Sequence, residues 1–430
     1  MVAGERQTEW ELIQDCVHCG FCLPSCPTYV LWGEEMDSPR GRIYQMREEI
    51  EGEALGPAIV RHYDQCLGCL ACVTACPSGV QYDRLIESTR ARVESDYHRP
   101  LADRLFRELL FALFPYPDRL RRLLPFLRLY RQSGLARATK RSGLCKVLPD
   151  RLRALEELTP EVPARAEEVP EWTPAPGSER ARVGLLLGCV QRAFYSHVNA
   201  ATARVLAAEG CSVVAPRSQG CCGALSEHAG RQEEARAFAR RVIDTFEAAG
   251  VDAVVANVAG CGSALKGYGH LLRDDPAYAG RAERFAAKAR DAGELLCELG
   301  SQAERYPLPL TVVYHDACHL AHGQRIRSQP RQCLQEIPEL DVRDVPRERD
   351  ICCGSAGVYN LLEPEPGREL GERKARAVLD AGADLLVTAN PGCDLQISRG
   401  LRELGVNLPT AHLMQFLDAS IRGLGPESLL

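Results

Sequence analysis

The feature that most restricts what this chain can fold into is a doubled cysteine run. "CVHCGFCLPSCP", from Cys16, and "CLGCLACVTACP", from Cys66, share the pattern C-x2-C-x2-C-x3-C-P. That spacing lets three thiolates wrap one four-iron four-sulfur cubane while the fourth reaches across to a second. Cys16, Cys19, Cys22 and Cys76 are therefore expected to hold one cluster, and Cys66, Cys69, Cys72 and Cys26 the other. Steps of two residues keep consecutive sulfurs turned inward, with backbone amides facing the cluster. Pro27 and Pro77 then turn the chain away and remove a donor. Structural zinc is the competing chemistry for C-x2-C pairs, but zinc sites stop at four ligands in two pairs. His18 and Gly68 fill matching spacer positions, so His18 reads as a surface or amide-packing residue rather than a ligand.

The 20 cysteines need metal or redox chemistry if the chain works where thiols stay reduced. Such a compartment is expected. No apolar stretch approaches the roughly 20 residues that span a bilayer, and "MVAGERQTEWELIQD" lacks the apolar core of a secretory signal. The cytoplasm is the expected location. A net charge of −6 gives no concentrated basic face, so nucleic acid is not an expected partner.

The segment between the two runs is predicted to be helical. Asp37 or Ser38 offers an N-cap, Pro39 suits the first turn, and Ile43, Met46 and Ile50 recur at helical spacing. A helical linker of this length resembles the all-α ferredoxin type found in the iron-sulfur subunits of succinate dehydrogenases. Arg40 and Arg42 either offset cluster charge, dock a partner or belong to a solvated face. Residues 1–96 are thus expected to form an all-α, ferredoxin-like domain.

Residues 97–158 read as an amphipathic helical connector. Between Tyr97 and Arg141 stand 11 Arg or Lys against three Asp or Glu, interleaved with leucine and phenylalanine. The pattern fits helices that touch anionic lipid on the inner membrane face, pack on a partner subunit, or brace the neighbouring domains. Pro115, Pro117 and Pro125 are expected to break the segment into short pieces. Residues 159–180, with five prolines, read as a semi-rigid linker.

Beyond the linker the chain repeats itself. Cys189, the pair Cys221–Cys222 and Cys261 return as Cys318, Cys352–Cys353 and Cys393, at offsets of 129 to 132 residues. Each copy opens on an apolar strand (183–187; 311–314), passes through helical sequence and reaches a second apolar strand (251–256; 385–389). Two α/β units, 181–300 and 301–430, are expected. Cysteines just past strand ends gather at the carboxyl edge of a parallel sheet, where ligands collect. Gly223 and Gly354 suit a tight turn that lets two adjacent sulfurs face one site. The eight aligned cysteines are candidate metal ligands, whereas Cys145, Cys211, Cys297 and Cys333 have no counterpart and read as small buried apolar residues. His315, Asp316 and His319 flank Cys318 and either tune a metal centre, carry protons or serve as strand-end hydrogen-bonding groups.

The doubled run, "DSPRGRIY", "HDACHLAHGQ", "CCGSAG" and "TANPGC" together closely resemble the iron-sulfur subunit family of glycolate oxidase. The same layout is similar to the iron-sulfur subunit of anaerobic glycerol-3-phosphate dehydrogenase and to the D subunit of heterodisulfide reductase. Lactate-utilisation proteins share the cysteine-rich (CCG) repeats but are shorter and lack the ferredoxin domain. The resemblance implies an electron-transfer subunit with two 4Fe-4S clusters and a further iron-sulfur cluster or other metal in the repeats. It implies an FAD-binding 2-hydroxy-acid oxidase partner for glycolate or D-lactate and an acceptor such as a quinone. Heterodisulfide reductases carry a fifth cysteine in each repeat; here those positions are Ala264 and Gln396, which argues against disulfide-reductase chemistry. The chain has no G-x-G-x-x-G fingerprint and no nucleophile elbow, so it is not expected to be catalytic alone.

Overall fold

The structure, a computed structural model, describes residues 3–134, 148–160, 162 and 166–430. Cys145 lies outside them, as does the stretch 135–147 of the connector. Between residues 3 and 158 every described regular element is helical. Ser38 caps the helix Pro39–Glu51 by accepting from the Gly41 amide at 3.0 Å, with Pro39 in its first turn. Asp37 belongs to a preceding 3-10 turn. Ile43, Met46, Val60, Tyr63, Leu85 and Ile86 form the core of this part, with Cys66 and Cys72 at its edge.

The connector supplies helices Leu101–Leu113, Pro117–Gln132 and Asp150–Glu157. Pro115 and Pro117 separate the first two, as expected. Pro125 does not break the second: it lies inside Pro117–Gln132. Leu120, Leu124 and Leu127 pack there against Ala193 and Phe194, and this burial offsets the hydrogen bond that proline removes. Within the proline-rich stretch, Trp172–Thr173 forms a short strand, β1, antiparallel to β3 (Cys211–Val214), so part of the linker belongs to the first sheet.

The first sheet has the order β1-β3-β2-β4-β5, with β2 at Ala181–Leu186, β4 at Ala253–Ala256 and β5 at Ala289–Asp291. The second runs β7-β6-β8-β9, with β6 at Leu310–His315, β7 at Leu340–Asp344, β8 at Leu385–Thr388 and β9 at Thr410–His412. Apart from β1, every pairing is parallel and the two orders correspond strand for strand. The correspondence extends to detail. Asp291 and His412 each begin the last helix of their unit with a capping box, closed by Glu294 and Gln415.

The two units pack through one core that draws Val183, Leu185 and Val213 from the first and Val312, Tyr314 and Val387 from the second. Helix Ser196–Ala208 of the first unit lies on helix Leu413–Ile421 of the second, and helix Ala292–Leu299 of the first lies on Gln329–Gln335 of the second. The longer helix that follows the first strand in each copy thus meets the last α-helix of the other, as in a pseudo-two-fold pair. His412 Nε2 bonds the Asn257 carbonyl at 2.7 Å and Tyr195 donates to Asp394 at 2.7 Å across this seam. Among the described residues, no helix is long and apolar enough to cross a membrane.

Candidate metal centres

The two cysteine runs adopt the same backbone. His18 and Gly20 in one, Gly68 and Leu70 in the other, all have positive φ, from 53° to 86°. This repeated left-handed twist turns the chain around each trio of sulfurs. His18 is exposed. Around the second run, Cys26, Cys66, Cys69 and Cys72 line one small cavity of about 20 Å³ bounded by Pro27, Thr28, Arg42 and Tyr82. Cys76 is close enough to Cys16 to raise its thiol, after burial and alongside Cys19. The fold therefore brings Cys26 to the second run's trio and Cys76 near Cys16 of the first.

Arg42 decides how the second trio is charged. Its side chain is 1% exposed and donates to the Asp37 carbonyl (2.5 Å), Asp37 Oδ1 (3.1 Å), Thr28 Oγ1 (3.2 Å) and the His62 carbonyl (2.6 Å). A solvated face is thereby ruled out for Arg42. Burial alone would raise the Cys66 thiol, but Arg42, Arg90 and the Gly68 amide outweigh it and hold it below the ordinary range. Cys69 and Cys72 are pushed well above that range by burial and by neighbouring thiols. Thiols raised this far, at Cys69 and Cys72, ionise beside Cys66 only around a multivalent cation, so the donor set fits a cluster. Arg40, by contrast, pairs with Glu35 at 2.6 Å near the surface and donates to the His18 carbonyl.

In the repeats, Cys189 and Cys261 follow the ends of β2 and β4, and Cys318 and Cys393 follow β6 and β8. These are the central strands of each sheet, and the crevice beyond them is the switch point of an open parallel sheet. Gly223 and Gly354, with φ of 86° and 87°, make the turn after each cysteine pair. In the first repeat, Cys221 Sγ lies 3.6 Å from Cys189 Sγ and Cys222 Sγ 3.2 Å from Cys261 Sγ. Hydrogen bonds from Cys221 and Cys261 hold the Cys222 thiol well below its usual range. In the second, Cys318 and Cys352 stand 4.0 Å apart, and the ligand atoms of His315, Cys353 and Cys393 lie within 4.8 Å of one another.

All eight aligned cysteines line a single cavity of about 330 Å³ between the two repeats. Its opposite wall is apolar and comes from the connector: Leu113, Phe114, Leu120, Leu123, Leu127 and Leu158. His228 and His319 also line it, with ring centroids 4.7 Å apart. The sequence singled out His319 but not His228 or the roofing leucines; His228's position after Cys-Cys-Gly was the available signal. Ala264 is buried in the apolar core, and Gln396 accepts from Asn360 at 2.8 Å and donates to the Gly367 carbonyl, so neither position offers a metal donor. Cys211 and Cys333 are buried in the shared core, and Cys297 packs beside Cys333 with the sulfurs 3.8 Å apart.

The second run abuts this cavity. Leu67, Cys69 and Ala71 form one buried cluster with Ile351, Cys352, Tyr359 and Leu370, and Cys318 packs against it. Arg90 ties the joint by donating to the carbonyls of Cys66 and His228. A Cβ on Gly230 would come within 2.2 Å of the Arg90 carbonyl oxygen, so only glycine permits this approach. The first run faces outward: Cys19 is exposed, and Val17 and Phe21 beside it are each 67% exposed.

Comparison with known proteins covers every part of this arrangement. Residues 102–159 match the family described as "Glycolate oxidase iron-sulfur subunit, linker region". Residues 183–266 and 312–398 match the cysteine-rich domain family, and 12–80 the 4Fe-4S dicluster domain. The chain is 39% identical over 423 residues to the probable glycolate oxidase iron-sulfur subunit of Bacillus subtilis, covering 96% of this chain and 95% of that one. It is 36% identical over 390 residues to the glycolate oxidase iron-sulfur subunit of Escherichia coli, covering 90% of each. Lactate utilization protein A of Bacillus cereus is 28% identical over 55% of this chain and 99% of its own length. A crystal structure of a hypothetical protein from Helicobacter pylori superposes with a TM-score of 0.55 at 11% identity, over 98% of this chain and 73% of that one, a likeness of fold alone.

Proposed function

The chain belongs to the family of glycolate oxidase iron-sulfur subunits, and from that premise we propose that it is the electron-transfer subunit of a flavin-dependent 2-hydroxy-acid dehydrogenase. The observation that carries this reading is the joint between Cys69 and the Cys318–Cys352 pair, which sets a ferredoxin-type site directly against the repeat cavity. Residues 1–96 act as an all-α, ferredoxin-like domain, 97–158 as the connector, 159–180 as the linker that also lends strand Trp172–Thr173 to the first sheet, and 181–300 and 301–430 as the repeats. Cys16, Cys19, Cys22 and Cys76 hold the outer cluster; Cys26, Cys66, Cys69 and Cys72 hold the inner one. Four-iron clusters, when bound, take up and release single electrons.

The residues around these sites give the chain a direction. Val17 and Phe21 expose apolar surface beside Cys19, suited to an FAD-binding partner that has taken a hydride from glycolate or D-lactate. Arg42 offsets anionic charge at the inner site. The eight repeat cysteines would hold a further iron centre, and the connector leucines wall the same cavity with apolar surface suited to a quinone, which takes two electrons and two protons to become a quinol. Leu101, Leu105 and Leu109 expose one helix face beside arginines, which favours peripheral contact with the inner face of the membrane. Catalysis on the hydroxy acid belongs to the partner.

The test is an anaerobic visible spectrum of the chain with and without its flavoprotein partner, each mixed with glycolate or D-lactate. The chain alone should bleach with a strong chemical reductant and not with substrate, while the complex should bleach with substrate. Bleaching of the chain alone by a hydroxy acid would overturn the subunit reading.

A further inference from the structure

The two repeat sites are not chemically equal. In the register of the sheets, Leu186 ends β2 opposite Ala256, and His315 ends β6 opposite Thr388. These are equivalent positions beneath equivalent cysteines. Leu186 packs into the apolar cluster that contains Cys189, Cys221 and Cys222. His315 instead has an imidazole 1% exposed, neither of whose nitrogens has a hydrogen-bond partner. A buried ring with two unpaired nitrogens is an uncompensated cost, and native interiors rarely keep one without a use. Its ring nitrogen lies within 4.8 Å of the Cys353 and Cys393 sulfurs.

We propose that His315 is a nitrogen ligand of an iron centre in the second repeat, held together with Cys353 and Cys393. Imidazole is an established donor to iron, and both sulfurs are buried free thiols within reach of the same ion. Zinc would accept the same donors, but the site lies behind Cys318 and Cys352, which pack against Cys69 of the inner ferredoxin site, and a metal without redox states would end the relay there. The neutral imidazole also carries one negative charge fewer than a thiolate, so this centre should be reduced more easily than one with thiolates alone. The second repeat, whose Cys318 and Cys352 pack against Cys69, is thereby distinguished from the first, where leucine stands at the same place.

The inference rests on the reading that the repeats hold iron, and one experiment separates the two. The full chain is purified anaerobically after labelling with 15N-histidine, its iron, sulfide and zinc are measured, and nitrogen coupling to the paramagnetic centre is read by pulsed electron paramagnetic resonance. The expected result is iron beyond that of the two ferredoxin clusters, with a directly coordinated nitrogen whose coupling is lost in His315→Leu and kept in His319→Gln. His315→Cys should keep the extra iron, lose the coupling and shift the centre to a lower potential, and this variant decides the matter if His315→Leu does not fold. Extra iron with no nitrogen coupling, or a coupling that survives in His315→Cys, overturns the assignment of His315 alone. No iron beyond the ferredoxin clusters, or zinc in its place, overturns the iron reading of the repeat as well.

Discussion

The two cysteine runs share spacing, backbone twist and terminal proline, yet they live in opposite surroundings. The first opens to solvent, with Cys19 exposed between Val17 and Phe21. The second is enclosed, with Cys66, Cys69 and Cys72 all buried and Arg42 fixed beneath them. A motif specifies which sulfurs can gather; the neighbours decide whether the gathered site meets water, a partner or another site. Electron entry and electron exit can thus be built from one repeated string.

The strongest way to break this comparison is to exchange the crossing ligands. Cys26→Ser should abolish the enclosed cluster and leave the outer one, while Cys76→Ser should do the reverse, each removing about half of the ferredoxin-domain iron. Resonance spectra of the reduced variants check this; a Cys76→Ser spectrum altered only at the enclosed site would refute the crossed pairing. Next comes Arg42→Met, which takes the guanidinium from buried Asp37 and leaves only His62 beside its carboxylate, and should destabilise the domain by about 3 kcal/mol, whereas Arg40→Ala should cost about 0–1 kcal/mol. Urea denaturation followed at the cluster absorbance measures both.

A smaller effect is expected from Phe21→Glu. Stability should stay within about 0.5 kcal/mol of the parent, because the side chain is exposed, while reduction by the flavoprotein slows. An unchanged rate in stopped-flow mixing would remove the outer run from the docking surface. The smallest concerns acid. Asp103 pairs with Arg107 at 3.0 Å and with Arg151 at 2.6 Å, and both arginines overcome its burial to hold its carboxyl below the usual value. A depressed folded value contributes stability that is fully present above the ordinary carboxylate range and is lost as pH falls from that range through the lower folded value. Asp64, two residues before Cys66, shares Arg99 and Arg107 with Asp103, so acid loosens the clamp beside the enclosed run and not the open one. Asp103→Asn should flatten the acid limb of the stability curve by about 1 kcal/mol, measured by denaturation from neutral pH down to pH values below the ordinary carboxylate range.

Much of this was legible in the chain itself. The Ser38 cap, the helical linker, the aligned cysteines and the central strands all follow from local chemistry. Four things were not. The convergence of eight thiols on one cavity arises from pseudo-two-fold packing of the units, which no local pattern encodes. Arg42 was ambiguous because arginine near a helix start is usually solvated; the turn at Glu35–Asp37 is what folds Asp37 over it. The roof of the cavity escaped notice because its leucines sit in an amphipathic pattern that equally describes a bracing or a lipid-facing helix. Trp172–Thr173 was hidden by its prolines, which edge strands tolerate.

The joint at Cys69 also bears on how freely such a protein can be taken apart. Ile351, Tyr359 and Leu370 are dry because Leu67 and Ala71 lie on them. A chain that began after the connector would expose that patch, and with it the cysteine cavity, to solvent and oxygen. Gene fusions and truncations that keep the repeats alone therefore need a substitute cover, whether new polar residues at those three positions or a separate polypeptide. Modularity in this architecture is conditional on that surface, and a library of repeat-only variants should recover solubility first through changes at Ile351, Tyr359 and Leu370.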